Sequence, residues 1–167
     1  MKMDFRQLFI FMEGGGGGQI MESYLLAWLI AARHTSIDCW EKRRQKGFLF
    51  TIGDEANWDE LSGSHLKQLL GYKEAYPVTD EVLLAEAQRT YHVYHIHINE
   101  TGYRNHPKVL GYWRELLGEN LLVLDNHNAL AELISTVVAM HQGQRYEDIT
   151  AKFDQTTTRL LNGALTH

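Results

Sequence analysis

The stretch Phe48-Leu49-Phe50-Thr51-Ile52-Gly53-Asp54-Glu55 decides the reading of this chain. Phe48 to Ile52 is short, apolar and rich in aromatic and β-branched side chains, and glycines bound it on both sides. Those are the marks of a strand. Its hydrophobicity runs on without alternating, which predicts a parallel strand covered on both faces. It ends in the acidic pair Asp54-Glu55, and open α/β sheets hold their ligands at the carboxyl ends of strands.

Working upstream, five consecutive glycines, Gly14 to Gly18, follow the apolar run Leu8-Phe9-Ile10-Phe11-Met12. Glycine loses the most backbone entropy on ordering, so this run is a loop. After it, Glu22 to His34 reads as a helix, with Tyr24, Leu25, Trp28, Leu29, Ala31 and Ala32 covering most of its circumference. Strand, glycine loop and helix in that order can set backbone amides against an anion. A Walker A loop would need Lys and Ser/Thr after its last glycine, and Gln19-Ile20-Met21 stands there instead. The dinucleotide-binding fingerprint also fails, because Gln or Ile occupies the place of its third glycine.

Working downstream, the polar stretch from His34 to Lys46 reads as a loop or frayed turn. Ser64 to Gly71 reads as a short helix, and Thr79 caps the next one, with Val82, Leu83, Ala85 and Ala87 apolar. Tyr91 to Asn99 alternates in period two, placing Val93, His95 and His97 on one face and Tyr94, Ile96 and Ile98 on the other. A helix from Pro107 to Leu117 stops at Gly118, and Leu121 to Leu124 is a strand ending in Asp125. Ala129 to His141 is an apolar helix, and residues 143–167 read as a further helix or a packing arm. Strands alternating with helices define an α/β fold, a largely parallel sheet flanked by helices in the Rossmann-like manner. Right-handed crossovers would then gather Gly14 to Gly18, Asp54, Asn99 and Asp125 on one edge.

At 167 residues the chain is most simply one domain, 1–167, with a proper hydrophobic core. Its net charge of −5 and its lack of a basic run beyond Lys42-Arg43-Arg44 argue against a nucleic-acid partner. No stretch is apolar enough to span a membrane, and the single Cys39 excludes an internal disulfide. A cytoplasmic location is the expectation, with Cys39 a buried free thiol and the four tryptophans used in packing.

The combination of Gly14 to Gly18, Glu22-Ser23-Tyr24, Ala31-Ala32-Arg33-His34-Thr35 and Thr51-Ile52-Gly53-Asp54-Glu55 resembles the carboxyl-terminal part of a von Willebrand factor type A domain, in a bacterial intracellular-type branch. The similarity runs from about Gly14 to Ala139. The resemblance implies a protein-binding module with a metal-ion-dependent adhesion site, whose loops would use Gly16, Gly17, Gly18, Glu22, Ser23, Asp54 and Glu55. The family's Asp-x-Ser-x-Ser loop is absent, so the fold is truncated on its amino-terminal side and any Mg²⁺ at Asp54 would be weakly held. The family's first strand is also missing, which would leave Phe48 to Ile52 with an apolar edge. Phe5 to Met12, a second copy in a homodimer or a complementing amino-terminal fragment would cover it.

The resemblance therefore points to a non-catalytic binding and assembly module. The residues also allow an enzyme: His95 and His97 lie two apart on one face and, with Asp54, could hold Zn²⁺ or Fe²⁺ in a small metal-dependent hydrolase. No Gly-x-Ser-x-Gly elbow or Cys/His nucleophile pair is present, which weighs against other hydrolytic chemistry.

Overall fold

The structure, a computed structural model, describes residues 21–73 and 76–166. In chain order its elements are β1 (Met21–Glu22), α1 (Tyr24–Arg33), α2 (Asp38–Arg43), β2 (Gly47–Gly53), β3 (Ala56–Asn57), β4 (Glu60–Leu61), α3 (Gly63–Leu70), β5 (Val78–Thr79), α4 (Asp80–Ala87), β6 (Tyr91–Ile98), α5 (Pro107–Leu117), β7 (Leu121–Leu124), α6 (Leu130–His141), α7 (Tyr146–Thr150) and α8 (Gln155–Leu165). Single 3-10 turns stand at Gly118–Asn120 and His127–Ala129. The expected strand at Leu8 to Met12 and the glycine run both lie outside the described residues, as does any covering of β2 by Phe5 to Met12.

The chain divides into two compact units, and β2 and β6 each pass from one to the other: Leu49 and Val93 close the first unit, Phe50 and Tyr94 begin the second. Partners advance together along the two strands. Gly47 N–H donates to Thr90 O, the rings of Phe48 and His92 and of Phe50 and Tyr94 lie side by side, and Thr51 Oγ1 meets His95 Nδ1. The two strands therefore run parallel, and the sheet order is β2-β6-β7. Among the described residues β2 has a strand neighbour on one side only. Accordingly, Phe48, Leu49 and Phe50 are half-buried and Ile52 is 40% exposed, where the sequence pattern predicted cover on both faces. An edge strand keeps its apolar run but not its two-sided burial.

In the first unit, α1 packs on α4. Leu25, Leu26, Trp28, Leu29 and Ala31 of α1 are buried, and Leu83, Leu84 and Ala87 of α4 are buried. Each fully buried Leu contributes about 1.5–3 kcal/mol, so this pair of helices is the unit's core. Arg33 at the end of α1 makes a bidentate contact with Glu86 of α4, Nε to Oε2 at 2.7 Å and Nη2 to Oε1 at 2.9 Å. Val82 and Ala85, two of the apolar positions in the sequence pattern, are exposed. Leu84 takes the buried place.

Two other readings are corrected here. Glu22 is not the first residue of the helix, because β1 pairs in parallel with β3, Met21 beside Ala56 and Glu22 beside Asn57. Residues 34–46 are not simply a loop, because α2 forms there. Its Asp38 and Glu41 lie in the first turn and its Lys42 and Arg43 in the last, which suits the helix dipole. An Asp38–Lys42 ion pair at 2.7 Å spans one turn. Cys39 is free, as expected, and only half-buried.

The second unit is built on β6-α5-β7, a parallel pair joined through a helix, with His95 beside Leu121 and Ile98 beside Leu124. Helices flank both faces of β6. Trp113 of α5 stacks on His95, and His141 of α6 meets Tyr94, whose side chain points the opposite way. The tail forms two helices, α7 and α8, and α8 packs against β7 and α6. Asp154 caps α8 by accepting from Thr157 N–H at 2.8 Å. Trp28 and Trp113 are fully buried, whereas Trp58 is 40% exposed.

Candidate functional site

In the first unit the start of α1 is held in an unexpected way. Ser23 stands at the N-cap, the position where a serine hydroxyl ordinarily accepts from the first turn. Here its side chain makes no cap bond. Asn57 does that work from β3: its Oδ1 accepts Leu25 N–H at 2.9 Å, and the residue is fully buried. Ser23 contributes only its carbonyl, which accepts Leu26 N–H at 3.1 Å. Glu22 O accepts the backbone N–H of Trp58 at 3.1 Å, and Trp58 is 40% exposed. Glu55 belongs to this unit as well. Of the residues the resemblance implicates, Glu22 and Ser23 are thus adjacent at one helix start, and Gly16, Gly17 and Gly18 lie outside the described residues.

In the second unit the carboxyl ends of β6 and β7 come together, as the sequence order predicted for Asn99 and Asp125. Asn99 Nδ2 donates to Asp125 Oδ1 at 2.7 Å and to Asn105 Oδ1 at 3.1 Å, while its Oδ1 accepts Asn105 N–H at 2.7 Å. Asn105 adopts φ 51°, a left-handed turn that asparagine tolerates. Glu100 Oε2 accepts both the backbone N–H of His127 at 2.9 Å and its ring Nδ1 at 2.6 Å. These bonds to His127, the backbone one foremost, hold the Glu100 carboxyl below its ordinary range. The network locks two loops at this edge, a role the sequence order located without identifying the partners.

The histidines are less available than their spacing implied. His95 and His97 are both fully buried. His95 stacks on Trp113, with ring centroids 3.6 Å apart and planes within 9°. Thr51 Oγ1 donates to Tyr94 O at 3.3 Å and lies 3.0 Å from His95 Nδ1, so its oxygen accepts the Nδ1 proton. Burial, with His97 adding to it, pushes His95 well below the usual imidazole range, so the ring is neutral. Burial also lowers His97, and the Asp54 carboxylate opposes that shift. Asp54 therefore stands within electrostatic reach of His97 at the end of β2. Among the described residues neither ring nitrogen of His97 has a hydrogen-bond partner.

Mg²⁺ requires near-octahedral oxygen coordination, and Zn²⁺ or Fe²⁺ sites need at least three converging side chains. Among the described residues no three His, Cys, Asp or Glu side chains converge on a point that could hold an ion. The described residues around Asp54 thus do not form a closed cage, and His95 is oriented by Thr51 and Trp113 instead. No helix among the described residues is long and apolar enough to cross a membrane. Comparison with known proteins returns no matching family model, curated protein or solved structure.

Proposed function

We propose that this chain is a non-catalytic protein-binding and assembly module, related in design to a von Willebrand factor type A domain with an incomplete adhesion site, and working as a homodimer or with a complementing chain. The observation that carries the reading is the group at the start of α1. Trp58, 40% exposed, is tied through its backbone N–H to Glu22 O, and Ser23, the next residue, has a hydroxyl that does not cap the helix. Tryptophan is among the residues most enriched in the energetic anchors of protein interfaces. An exposed tryptophan tied through its backbone to an acidic residue, with a hydroxyl-bearing one next to it, offers an apolar anchor with polar neighbours. The second unit, taken by itself, exposes Ile52 close to Asp54 at the end of β2.

Light scattering of the full chain over a concentration series tests this. A dimer or larger assembly is expected, and Trp58→Ala should weaken association by at least about tenfold, the 1–2 kcal/mol of an anchor residue. Its circular dichroism should stay unchanged. A chain that is monomeric throughout, and that carries stoichiometric Zn²⁺ or Fe²⁺ by elemental analysis, would refute the reading in favour of a metal-dependent enzyme.

A further inference from the structure

We propose that the second unit carries a binding site for a small amphiphilic amine, an ammonium head on an apolar body, in the cavity between the ends of α6 and α8 and the start of β7. This site is separate from the contacts invoked above and does not depend on them. The cavity has a volume of about 600 Å³, within the roughly 300–1,000 Å³ typical of small-molecule sites. Leu122, Val137 and Ala164 form apolar wall, and Met140, 42% exposed, stands at the opening.

Glu119 and two helix ends set the sign of the polar lining. Met140 and His141 are the last residues of α6, and Ala164 and Leu165 are the last of α8. The carboxyl ends of two helices therefore border the same space, where the helix dipole favours a cation. Glu119 adds a carboxylate and Asn120 an amide, and among the described residues no Lys or Arg lines the cavity. Thr166 has already committed its hydroxyl proton to Asn162 O at 2.7 Å.

At the inner end, Tyr94 is 8% exposed and its phenol lies 2.6 Å from His141 Nε2. Burial holds the phenol's pKa above its ordinary value. The Tyr94 ring is held in place by stacking on Phe50, with centroids 5.3 Å apart. Such a surface favours a ligand that brings donors and positive charge. An ammonium has three N–H donors, and a tyrosine face attracts a cation. A carboxylate or phosphate would stand against the Glu119 carboxylate.

The test uses the full chain with its methionine methyls labelled with carbon-13, and 2-phenylethylammonium as the probe. Substitution of Met140 by Leu assigns the reporter signal. A saturable shift of the Met140 methyl is expected, with 3-phenylpropanoate binding at least about tenfold more weakly, about 1.4 kcal/mol. Glu119→Lys, on an exposed turn, should reverse that preference. Met140→Trp at the opening should abolish binding measured by calorimetry, with the circular dichroism of both variants unchanged. The absence of a saturable shift, equal affinity for the two probes, or an unaltered preference in Glu119→Lys would each overturn the proposal.

Discussion

Replacing Asn57 by Ala should destabilise the first unit far more than replacing Ser23 by Ala, although Ser23 is the residue that a capping rule selects. Asn57 Oδ1 accepts Leu25 N–H at 2.9 Å, and Leu25 and Asn57 are both 0% exposed. Loss of a side-chain cap costs about 1 kcal/mol. In Asn57→Ala the stranded Leu25 N–H has no water to turn to, which adds about 1–3 kcal/mol. One offset exists, because Asn57 Nδ2 is buried with no partner among the described residues and its removal recovers about 1 kcal/mol. The net expectation is a loss of about 2 kcal/mol. Ser23→Ala removes a hydroxyl that makes no cap bond, and should cost less than about 0.5 kcal/mol. Urea unfolding followed by circular dichroism measures both, and hydrogen exchange at the Leu25 amide gives a local readout. Equal losses for the two variants, or a larger one for Ser23→Ala, would refute the argument.

Three further outcomes follow from the same geometry. His97→Leu exchanges an imidazole with two unpartnered nitrogens for a similar apolar volume, and thermal melting should show a change between zero and a gain of about 1 kcal/mol. A loss above about 2 kcal/mol would mean that the ring is anchored by a bound group. Acid should destabilise the second unit before any carboxylate titrates. His95 and His97 have folded pKa values below the 6.5 of the unfolded chain, so the folded state binds fewer protons and stability falls as pH drops through that value. The slope is up to about 1.4 kcal/mol per pH unit for each histidine, and His95→Phe should flatten it in urea titrations between pH 7.5 and 5.5. Finally, Gly118→Ala should cost about 1–2 kcal/mol in the same assay, because φ 56° with ψ −124° ends α5 in backbone space that an L side chain rarely enters.

Much of the second unit was legible in the linear chain. Tyr91 to Asn99, Pro107 to Leu117 and Leu121 to Asp125 each carried a complete local signal, either period-two alternation, a proline start with a glycine stop, or a short apolar run. Their element boundaries agree with the structure to within a residue. The first unit was less legible, because its short strands have no periodicity to read. Met21–Glu22 and Ala56–Asn57 are strands only because they find each other across more than thirty positions. The α2 helix, by contrast, did carry a signal, acids before bases with an i,i+4 pair, that its overall polarity masked.

The candidate site divides along the same line. Order along the chain placed Asn99 and Asp125 at one edge, since parallel strands joined through helices leave their carboxyl ends together. The spacing of His95 and His97 correctly assigned them a common face, yet said nothing of Trp113, eighteen residues after His95, which stacks on that ring and fixes its plane. Local periodicity determines which side of an element a residue occupies, because that depends only on backbone geometry. Which hydroxyl is spent, which nitrogen is held and which helix ends share a cavity depend on partners brought close by folding. Those were decided by the tertiary structure alone.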